Sequence, residues 1–308
     1  MKTSIRIGTR GSRLALWQAQ HIADLLLRQN KLSSEIVVIK TKGDSIIDKP
    51  LPKIGGKGLF TAELEEALRN NIIDIAVHSL KDLPTEDLGE FIIGAVVARG
   101  PAEDVLVSKE NLKFSELPQM AKVGTSSTRR AAQLLKIRPD LTMVDIRGNV
   151  ESRIRKVHES TSYDATILAH AGLYRLGFDS VIAEIFDQEI MLCAPGQGAL
   201  AIQCIKESPY LDELKQINDR STLLATTAER VFLNELQGGC SKPVAAYAQF
   251  FNNTLTLRGR VLNLDGSQCI SISHSLEAND DIENARKLGK KLAADAIKQG
   301  ALTLLQHL

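Results

Sequence analysis

The chain has 308 residues, more than a single hydrophobic core usually supports, so two or three domains are expected. Hydrophobic residues make up 44% and charged residues 24%, as in an ordinary globular protein, and no apolar run approaches the ~18 residues of a membrane helix. The net charge of +1 excludes a protein that binds polyanions over its whole surface.

The first two-thirds of the chain alternate strand-like runs with helical patterns. Strands are predicted over 4–8, 35–41, 73–79, 91–97, 104–108, 141–146 and 165–169. Helices are predicted over 13–29, from 61 to 69, over 128–138 and from 149 onward, with N-caps at Ser12, Thr61 and Ser127. This alternation favours α/β layers with mostly parallel sheets.

Two Pro/Gly breaks, Gly100-Pro101 and Pro195-Gly196, are predicted to be hinge crossings. The chain would leave a first α/β lobe, build a second, and return so that a strand over 198–205 rejoins the first sheet. We therefore expect one domain over 1–98 and 197–217 and a second over 99–196. Two lobes joined by two crossings form a hinged cleft.

The last ninety residues, 218–308, have a different pattern and are predicted to form a third, α+β domain. Apolar and polar residues alternate over 254–263 and again over 268–276, and Asp265-Gly266 marks a hairpin turn between them. A helix is predicted over 281–299.

Positive charge is concentrated in the segment 122–156, which holds nine basic residues and three acids. Arg129 and Arg130 open a helix, where cations oppose the helix dipole, and this conflict indicates a carboxylate or phosphate nearby. Arg147 and Arg153 repeat the arrangement at the next helix. Arginine binds carboxylates through paired hydrogen bonds, so the segment favours a ligand with several carboxylates. A solvated basic face and an RNA-binding face are the alternatives, although aromatic residues, at 4%, are scarce for base stacking.

Other polar residues follow predicted strands, where ligands bind to α/β sheets. Arg10 and Ser12 lie between the first strand and its helix, and Lys81 and Asp82 follow the strand over 73–79. The alternatives are a capping loop at the first position and a surface Lys–Asp pair at the second.

A glycine-containing loop over 54–60 carries Lys57 and follows Lys53. It does not match the Walker P-loop pattern. A mobile lid that carries cations and a plain turn before the next helix are both compatible with it.

The cysteines are Cys193, Cys204, Cys240 and Cys269, with neither C-x-x-C nor zinc-finger spacing, so no metal site is expected. In a reducing compartment all four would be free thiols. Cys240 follows two glycines in a loop, whereas Cys204 lies in an apolar strand. Cys240 is therefore the candidate for a reactive thiol.

The N-terminal segment does not match a secretory signal, because arginines at 6, 10 and 13 interrupt the region that should be apolar. We therefore expect a cytoplasmic protein.

Taken in order and spacing, nine segments of this chain resemble the porphobilinogen deaminase family over almost its whole length. The segments are IGTRGSRLALWQA, KIGGKGLF, AVHSLKDLP, GTSSTRRAAQL, DIRGNV, ILAHAGLYRLG, PGQGALAIQC, ERVFLNELQGGCSKPV and LRGRV. Each segment alone is weak evidence, but the ordered set is very specific.

The resemblance implies two α/β lobes like those of solute-binding proteins, a hinged cleft, and a small α+β C-terminal domain. It implies a transferase of tetrapyrrole (haem) biosynthesis that condenses four porphobilinogen molecules, with loss of four ammonia, into linear hydroxymethylbilane. The growing chain is carried by a dipyrromethane cofactor, made from two substrate units and bound through a thioether to Cys240. The implied enzyme is a cytoplasmic monomer that binds neither nucleic acid nor membrane.

Family roles transfer to residues of this chain by motif. The catalytic aspartate matches Asp82, which also contacts the cofactor. The other groups around the cofactor match Lys81, Thr125, Ser127, Arg129, Arg130 and Gly148. The groups near the incoming substrate match Arg10, Ser12, Arg147, Arg153 and Arg175. The mobile loop over the cleft contains Lys53, Lys57 and Phe60.

Two departures from the family pattern stand out. Where the family often has E-D-P-R-D after Arg99, this chain has Gly-Pro-Ala-Glu-Asp over 100–104, so an arginine is missing from the hinge. Thr128 occupies a position that is usually apolar. A solute-binding protein without catalytic activity is the main rival interpretation, but it has no use for an exposed thiol at Cys240.

Overall fold

A computed structural model describes residues 4–41, 61–86, 88–237, 242–279 and 281–306. The predictions for the cysteine loop at Cys240 and for Lys53, Lys57 and Phe60 lie outside these described residues. Within the described ranges, no helix combines the length and the apolar character needed to cross a bilayer.

Strands and helices follow one another along the whole chain. The first stretch contains β1 (Ser4–Thr9), α1 (Arg13–Asn30), β2 (Ser33–Val38), α2 (Ala62–Arg69), β3 (Ile75–Ser79) and β4 (Phe91–Val96). The second contains β5 (Asp104–Ser108), β6 (Lys122–Gly124), α3 (Thr128–Ile137), β7 (Thr142–Val144), α4 (Val150–Glu159), β8 (Ala165–Ala169), α5 (His170–Leu176) and β9 (Glu184–Ile185). After β10 (Leu200–Ile205) and α6 (Leu211–Ile217) come α7 (Arg220–Glu235), β11 (Val244–Phe251), β12 (Thr254–Leu262), β13 (Cys269–Glu277), α8 (Ile282–Lys298) and α9 (Ala301–Gln306).

Short polar side chains start several of these helices, as their sequences predict. The side-chain oxygens of Ser12, Ser127 and Asn149 each accept a hydrogen bond from the backbone N–H three residues later, at 3.2, 3.4 and 2.9 Å. Thr61 also precedes a helix, but its hydroxyl makes no capping bond and is buried without a partner among the described residues. The prediction of a side-chain cap at Thr61 is therefore wrong.

The described strands form three sheets. Their orders are β2-β1-β3-β10-β4 in the first lobe, β7-β6-β8-β5-β9 in the second, and β11-β12-β13 in the C-terminal part. Each five-stranded sheet has two parallel and two antiparallel pairings, so the expectation of mostly parallel sheets is wrong. The cause is the crossing of the chain between lobes: β10 returns into the first sheet antiparallel to both its neighbours, and β5 enters the second sheet in the same way.

Each sheet buries apolar side chains against helices. The first core contains Ile5, Ile7 and Ile202, and the second contains Leu106 and Ile167, all at most 1% exposed. The antiparallel C-terminal sheet packs against α7 and α8, and its strands β12 and β13 pair in register over their full length. Burial of this kind stabilises each layer by roughly 1.5–3 kcal/mol for each large side chain.

The two crossings run side by side. The backbone N–H of Gly100 donates to the carbonyl oxygen of Gly198 at 3.1 Å, and the side chain of Gln197 donates to the carbonyl oxygen of Ala102 at 2.7 Å. The outbound and returning segments are therefore fixed to each other between the lobes.

A buried carboxylate joins the two crossings to the C-terminal sheet. Glu229 of α7 is fully buried and forms a bidentate pair with Arg99, with N···O distances of 2.6 and 3.2 Å. It also accepts hydrogen bonds from the backbone N–H of Gly196 at 2.7 Å and of Ala248 at 2.8 Å. Burial alone would lower the pKa of Arg99, but the charge of Glu229 outweighs it and raises that pKa above its usual value. Arg99 therefore stays charged, and the carboxylate has partners on both of its oxygens.

We expect Glu229→Gln to destabilise the protein by about 3–5 kcal/mol, because it leaves the buried guanidinium of Arg99 without its counter-charge. Glu235→Gln on the exposed side of the same helix is the control and should change stability by less than about 0.5 kcal/mol. Urea unfolding of both variants measures the difference. Equal midpoints would show that the pair is not needed for folding.

Candidate active site

The strand β3 ends at the cleft in a single turn of 3₁₀ helix, Leu80–Asp82. The ammonium of Lys81 donates to the side-chain oxygen of Gln197 at 3.3 Å, and the amide of Gln197 donates in turn to Asp104 at 3.0 Å. Burial lowers the pKa of Lys81 to about 8, although the carboxylate of Asp82 opposes the shift. Lys81 therefore points toward the crossings, and Asp82 itself is exposed.

The arginine pair of α3 is buried around one carboxylate. Arg129 and Arg130 are 5% and 7% exposed, and each lies 2.7 Å from an oxygen of Asp104. Arg129 also donates to the carbonyl oxygen of Leu192 at 2.7 Å, and Arg130 to that of Ile167 at 3.0 Å. Burial would raise the pKa of Asp104, but the two guanidinium groups outweigh it and hold that pKa below its usual range. The carboxylate that the arginine pair predicted is therefore present, and it belongs to the chain itself.

Thr125 and Ser127, two residues that the resemblance places around the cofactor, lie in the turn before this helix. Ser127 caps the helix, and its own backbone N–H donates to the hydroxyl of Thr125 at 3.2 Å. Their side chains therefore fix the turn that leads to the arginine pair.

The next helix brings a second group of cations to the same region. Gly148 has φ +116°, a backbone conformation that favours glycine, and its carbonyl oxygen accepts from Nε of Arg153 at 2.8 Å. Burial lowers the pKa of Arg153 to about 10, the charges of Arg130 and Arg147 add to this effect, and Asp82 opposes it. These electrostatic effects indicate that Asp82 of the first lobe faces the arginines of the second.

The loop after β1 carries Arg10 and Ser12. Ser12 is occupied as the cap of α1, and Arg10 is half-buried and lies near His78 of β3. Burial lowers the pKa of His78 to about 4, its hydrogen bond to Gln203 opposes this, and Arg10 adds to it. His78 is therefore neutral and belongs to the sheet. Arg10 follows β1, the strand that pairs with β3.

Arg175 has a different environment from the other predicted arginines. Its guanidinium donates to the carbonyl oxygen of Gly198 at 2.6 Å and lies 5.6 Å from the ring centroid of Trp17 on α1. The ring of Trp17 is stacked on that of His21, with centroids 5.1 Å apart. Burial lowers the pKa of Arg175 to about 10. Arg175 thus contacts both the returning crossing and a helix of the first lobe.

Sequence reasoning missed Asp104 and Gln197, which connect Lys81 to the arginine pair. Asp104 had been assigned only to the start of an apolar strand. The signal that could have found it is an acid opening a short strand whose next three residues, 105–107, are all apolar, because a buried acid needs a cation beside it.

Together these side chains form a site in which positive charge exceeds negative charge by four. The acids are Asp82 and Asp104. The cations are Arg10, Lys81, Arg129, Arg130, Arg147 and Arg153. Such a donor set fits a ligand with several carboxylates. Of the two acids, Asp82 is the exposed one.

Comparison with known proteins agrees with this arrangement. Residues 5–213 match the model of the porphobilinogen deaminase, dipyromethane cofactor binding domain, and residues 223–298 match that of the porphobilinogen deaminase, C-terminal domain. The chain is 46% identical to porphobilinogen deaminase of Helicobacter hepaticus over 98% of this chain and 94% of that protein. It is also 46% identical to that of Syntrophomonas wolfei, over 98% of each.

Among solved structures, a methionine-binding protein aligns with a TM-score of 0.43 and 14% identity, over 70% of this chain and 88% of that one. Both family models together span most of the chain, and the two relatives exceed 40% identity over nearly their full lengths. The chain therefore belongs to the porphobilinogen deaminase family, and its first 213 residues include that family's dipyrromethane cofactor binding domain.

Proposed function

We propose that this chain condenses four porphobilinogen molecules head to tail, with loss of four ammonia, and releases the product from its primer by addition of one water, which gives the linear tetrapyrrole hydroxymethylbilane. The reaction takes place on a dipyrromethane primer held by a thioether at Cys240. The observation that carries the proposal is the exposed carboxylate of Asp82 opposite a group of arginines in a site with four excess positive charges.

The donor set fits the cofactor. Porphobilinogen bears an acetate and a propionate, so a dipyrromethane made from two such units carries four carboxylates, which suit a site lined by several cations. The residues that hold it are Lys81, Asp82, Thr125, Ser127, Arg129, Arg130 and Gly148. Because Asp104 fixes two of these arginines before any ligand arrives, little side-chain entropy is lost on binding. When bound, the cofactor supplies the free pyrrole carbon at which the chain grows.

The incoming substrate is held by a second set of side chains. These are Arg10, Ser12, Arg147, Arg153 and Arg175. Arg153 is anchored by its bond to the carbonyl oxygen of Gly148, which orients its remaining N–H groups. Arg175, on α5, contacts the returning crossing at Gly198, so its position depends on the angle between the lobes.

Asp82 carries the chemistry in this proposal. Loss of ammonia from porphobilinogen leaves positive charge on a pyrrole ring, and a fixed carboxylate near the ring N–H stabilises that charge. The same carboxylate accepts the proton that leaves the ring carbon after the new bond forms. The buried strand β3 and the 3₁₀ turn that follows it place the backbone of Asp82 for both roles.

We extend the proposal to a cytoplasmic monomer. The anchoring thiol must be reduced before the cofactor attaches, and the cytoplasm keeps thiols reduced. Cys193, Cys204 and Cys269 are free cysteines, consistent with such a compartment. A monomer is compatible with exposed large apolar side chains that are scattered along the described chain, such as Met120 and Phe251.

Intact mass spectrometry tests the attachment site. Cys240→Ser should lack the mass of the dipyrromethane and should not turn over, because a hydroxyl is a far weaker nucleophile than a thiolate at neutral pH. Cys269→Ser, at a half-buried thiol in β13, is the matched control and should keep the adduct. An adduct that persists on Cys240→Ser would refute the assignment, and a wild-type protein without any adduct would favour a solute-binding function.

Two substitutions at Asp82 test its catalytic role. Asp82→Glu keeps the charge but displaces it by about 1 Å, which should slow turnover on the order of 100-fold. Asp82→Asn keeps the shape but loses the charge and should be nearly inactive. Steady-state formation of hydroxymethylbilane by the two cofactor-loaded variants is the measurement. A near-normal rate for Asp82→Asn would contradict the role and leave Asp82 as a surface residue.

The arginines should separate into two classes. Arg147→Leu should keep the cofactor but raise the KM for porphobilinogen about tenfold or more, through loss of a charge-assisted bond. Arg130→Leu should yield largely cofactor-free protein of lower stability, because it also removes a partner from the buried Asp104. Mass spectra of the loaded protein and of its substrate adducts distinguish the classes. The same cofactor content and KM in both variants would count against the division.

A further inference from the structure

Gln133 of α3 has a side chain whose hydrogen-bonding capacity is fully used. Its amide nitrogen donates to the carbonyl oxygens of Arg129 at 3.2 Å and Leu192 at 3.0 Å. Its amide oxygen accepts from the backbone N–H of Leu192 at 2.9 Å and from Nη1 of Arg260 at 2.8 Å. An amide side chain has two N–H donors and two lone pairs, so no further bond is available. Gln133 is 1% exposed and cannot contact a ligand in the cleft.

The same carbonyl oxygen connects Gln133 to the guanidinium of Arg129. The oxygen of Leu192 accepts from Nη1 of Arg129 at 2.7 Å as well as from Gln133. That Nη1 also lies 2.7 Å from Asp104. Nη1 of Arg129 is therefore oriented by two partners, the backbone oxygen of Leu192 that Gln133 fixes and the carboxylate of Asp104.

Arg260 brings this network into the C-terminal sheet. It belongs to β12, is 7% exposed, and donates to the carbonyl oxygens of Glu189 at 2.8 Å and Ile190 at 3.1 Å in addition to Gln133. A cation of the C-terminal sheet thus donates hydrogen bonds both to α3 and to the segment that leads into the returning crossing.

The turn between β12 and β13 makes a second contact with α3. Gly266 in this turn has φ +73°, and a Cβ atom there would lie 2.2 Å from the carbonyl oxygen of Ala132 and 2.6 Å from the backbone nitrogen of Lys136. Both atoms belong to the backbone of α3, which cannot move aside as a flexible side chain could. The C-terminal sheet therefore contacts the arginine-bearing helix at two independent points.

We propose that Gln133 and Arg260 are positioning residues, through which the C-terminal domain holds Arg129 in the geometry that binds a cofactor carboxylate. The inference rests on the proposed function and deepens it. The C-terminal domain then serves the cofactor twice, by the thioether at Cys240 and by setting the carboxylate site in the second lobe. Neither Gln133 nor Arg260 touches the cofactor, and both act through Arg129.

The physical basis is the steep dependence of paired hydrogen bonds on geometry. A guanidinium binds a carboxylate best when two parallel N–H···O bonds form together, and a displacement of about 1 Å removes much of that advantage. Loss of the contact from Arg260 leaves the Gln133 amide with three hydrogen bonds instead of four and weakens its hold on the carbonyl group of Leu192. Arg129 would keep its charge, but its N–H groups would no longer be held in the orientation that binds a carboxylate.

The test compares how much the bound cofactor stabilises each variant. Arg260→Leu is measured against Arg258→Leu, an arginine on the same strand that is 40% exposed in its side chain and pairs with Glu189 at the surface. Each is made with and without Cys240→Ser, and the rise in Tm from the cofactor-free to the loaded form is recorded. The thioether keeps the cofactor on the chain in both the folded and the unfolded state, so this rise reports the noncovalent contacts that the cofactor makes only in the folded state, and not the intrinsic stability of the chain.

We expect the rise in Tm to fall by about half or more in Arg260→Leu and to stay at the wild-type value in Arg258→Leu. Arg260→Lys, which keeps the charge and one donor, should recover part of it. A purely structural role would lower the Tm of both forms equally and leave the rise unchanged, and that result would overturn the inference.

A second pair of variants covers the case in which Arg260→Leu fails to fold. Gly266→Ala pushes the turn away from α3 without removing a charge, whereas Gly300, which also has a positive φ (+95°), has open space where the added methyl group would lie. Gly266→Ala should reduce the rise in Tm and Gly300→Ala should not, and equal rises would refute the inference. If the wild-type protein and Cys240→Ser melt at the same temperature and neither carries an adduct, the proposed function fails instead.

Discussion

The carboxylate of Glu229 is the interaction on which the arrangement of this molecule depends. It accepts hydrogen bonds from the outbound crossing through Arg99, from the returning crossing through Gly196, and from the C-terminal sheet through Ala248. A buried charge is costly unless each of its oxygens has partners, so all three segments must be in place together. The two lobes and the C-terminal domain consequently share one structural junction next to the hinge, even though each has its own apolar core.

A second buried carboxylate, Asp104, repeats this principle at the site itself. It lies at the start of β5, directly after the outbound crossing, and binds Arg129 and Arg130 of α3 in the second lobe. Gln197 on the returning crossing links it to Lys81 of the first lobe. The cations that face the ligand are thus fixed to the same two crossings that join the lobes. The geometry of the site is therefore tied to the angle between the lobes, and not to either lobe alone.

The sequence predicted most of the features that depend on neighbouring residues and failed on those that depend on distant ones. The caps at Ser12 and Ser127 follow from a short polar side chain placed before a helical pattern, which is local information, although the cap predicted at Thr61 by the same reasoning is absent. Strand direction depends on where β10 inserts into a sheet formed more than a hundred residues earlier, and the pattern of β10 does not contain that information.

The same distinction applies to the site. The excess of arginine over 122–156 correctly indicated a carboxylate partner. Its first partner, however, is an aspartate 26 residues before Arg130 in an apolar strand, and no local pattern connects the two. Arg175 was grouped with the substrate arginines by motif, yet its contacts with Gly198 and Trp17 are visible only once the lobes are assembled.

The contact between Arg175 and Trp17 has a practical consequence. Trp17 is the only tryptophan in the chain, and it lies on α1 of the first lobe against a cation from α5 of the second. Indole emission is sensitive to the polarity and charge around the ring, so all tryptophan fluorescence of this protein originates at one contact between the lobes. The unmodified chain therefore contains a single optical reporter of this contact, which can be followed in real time without attaching a dye.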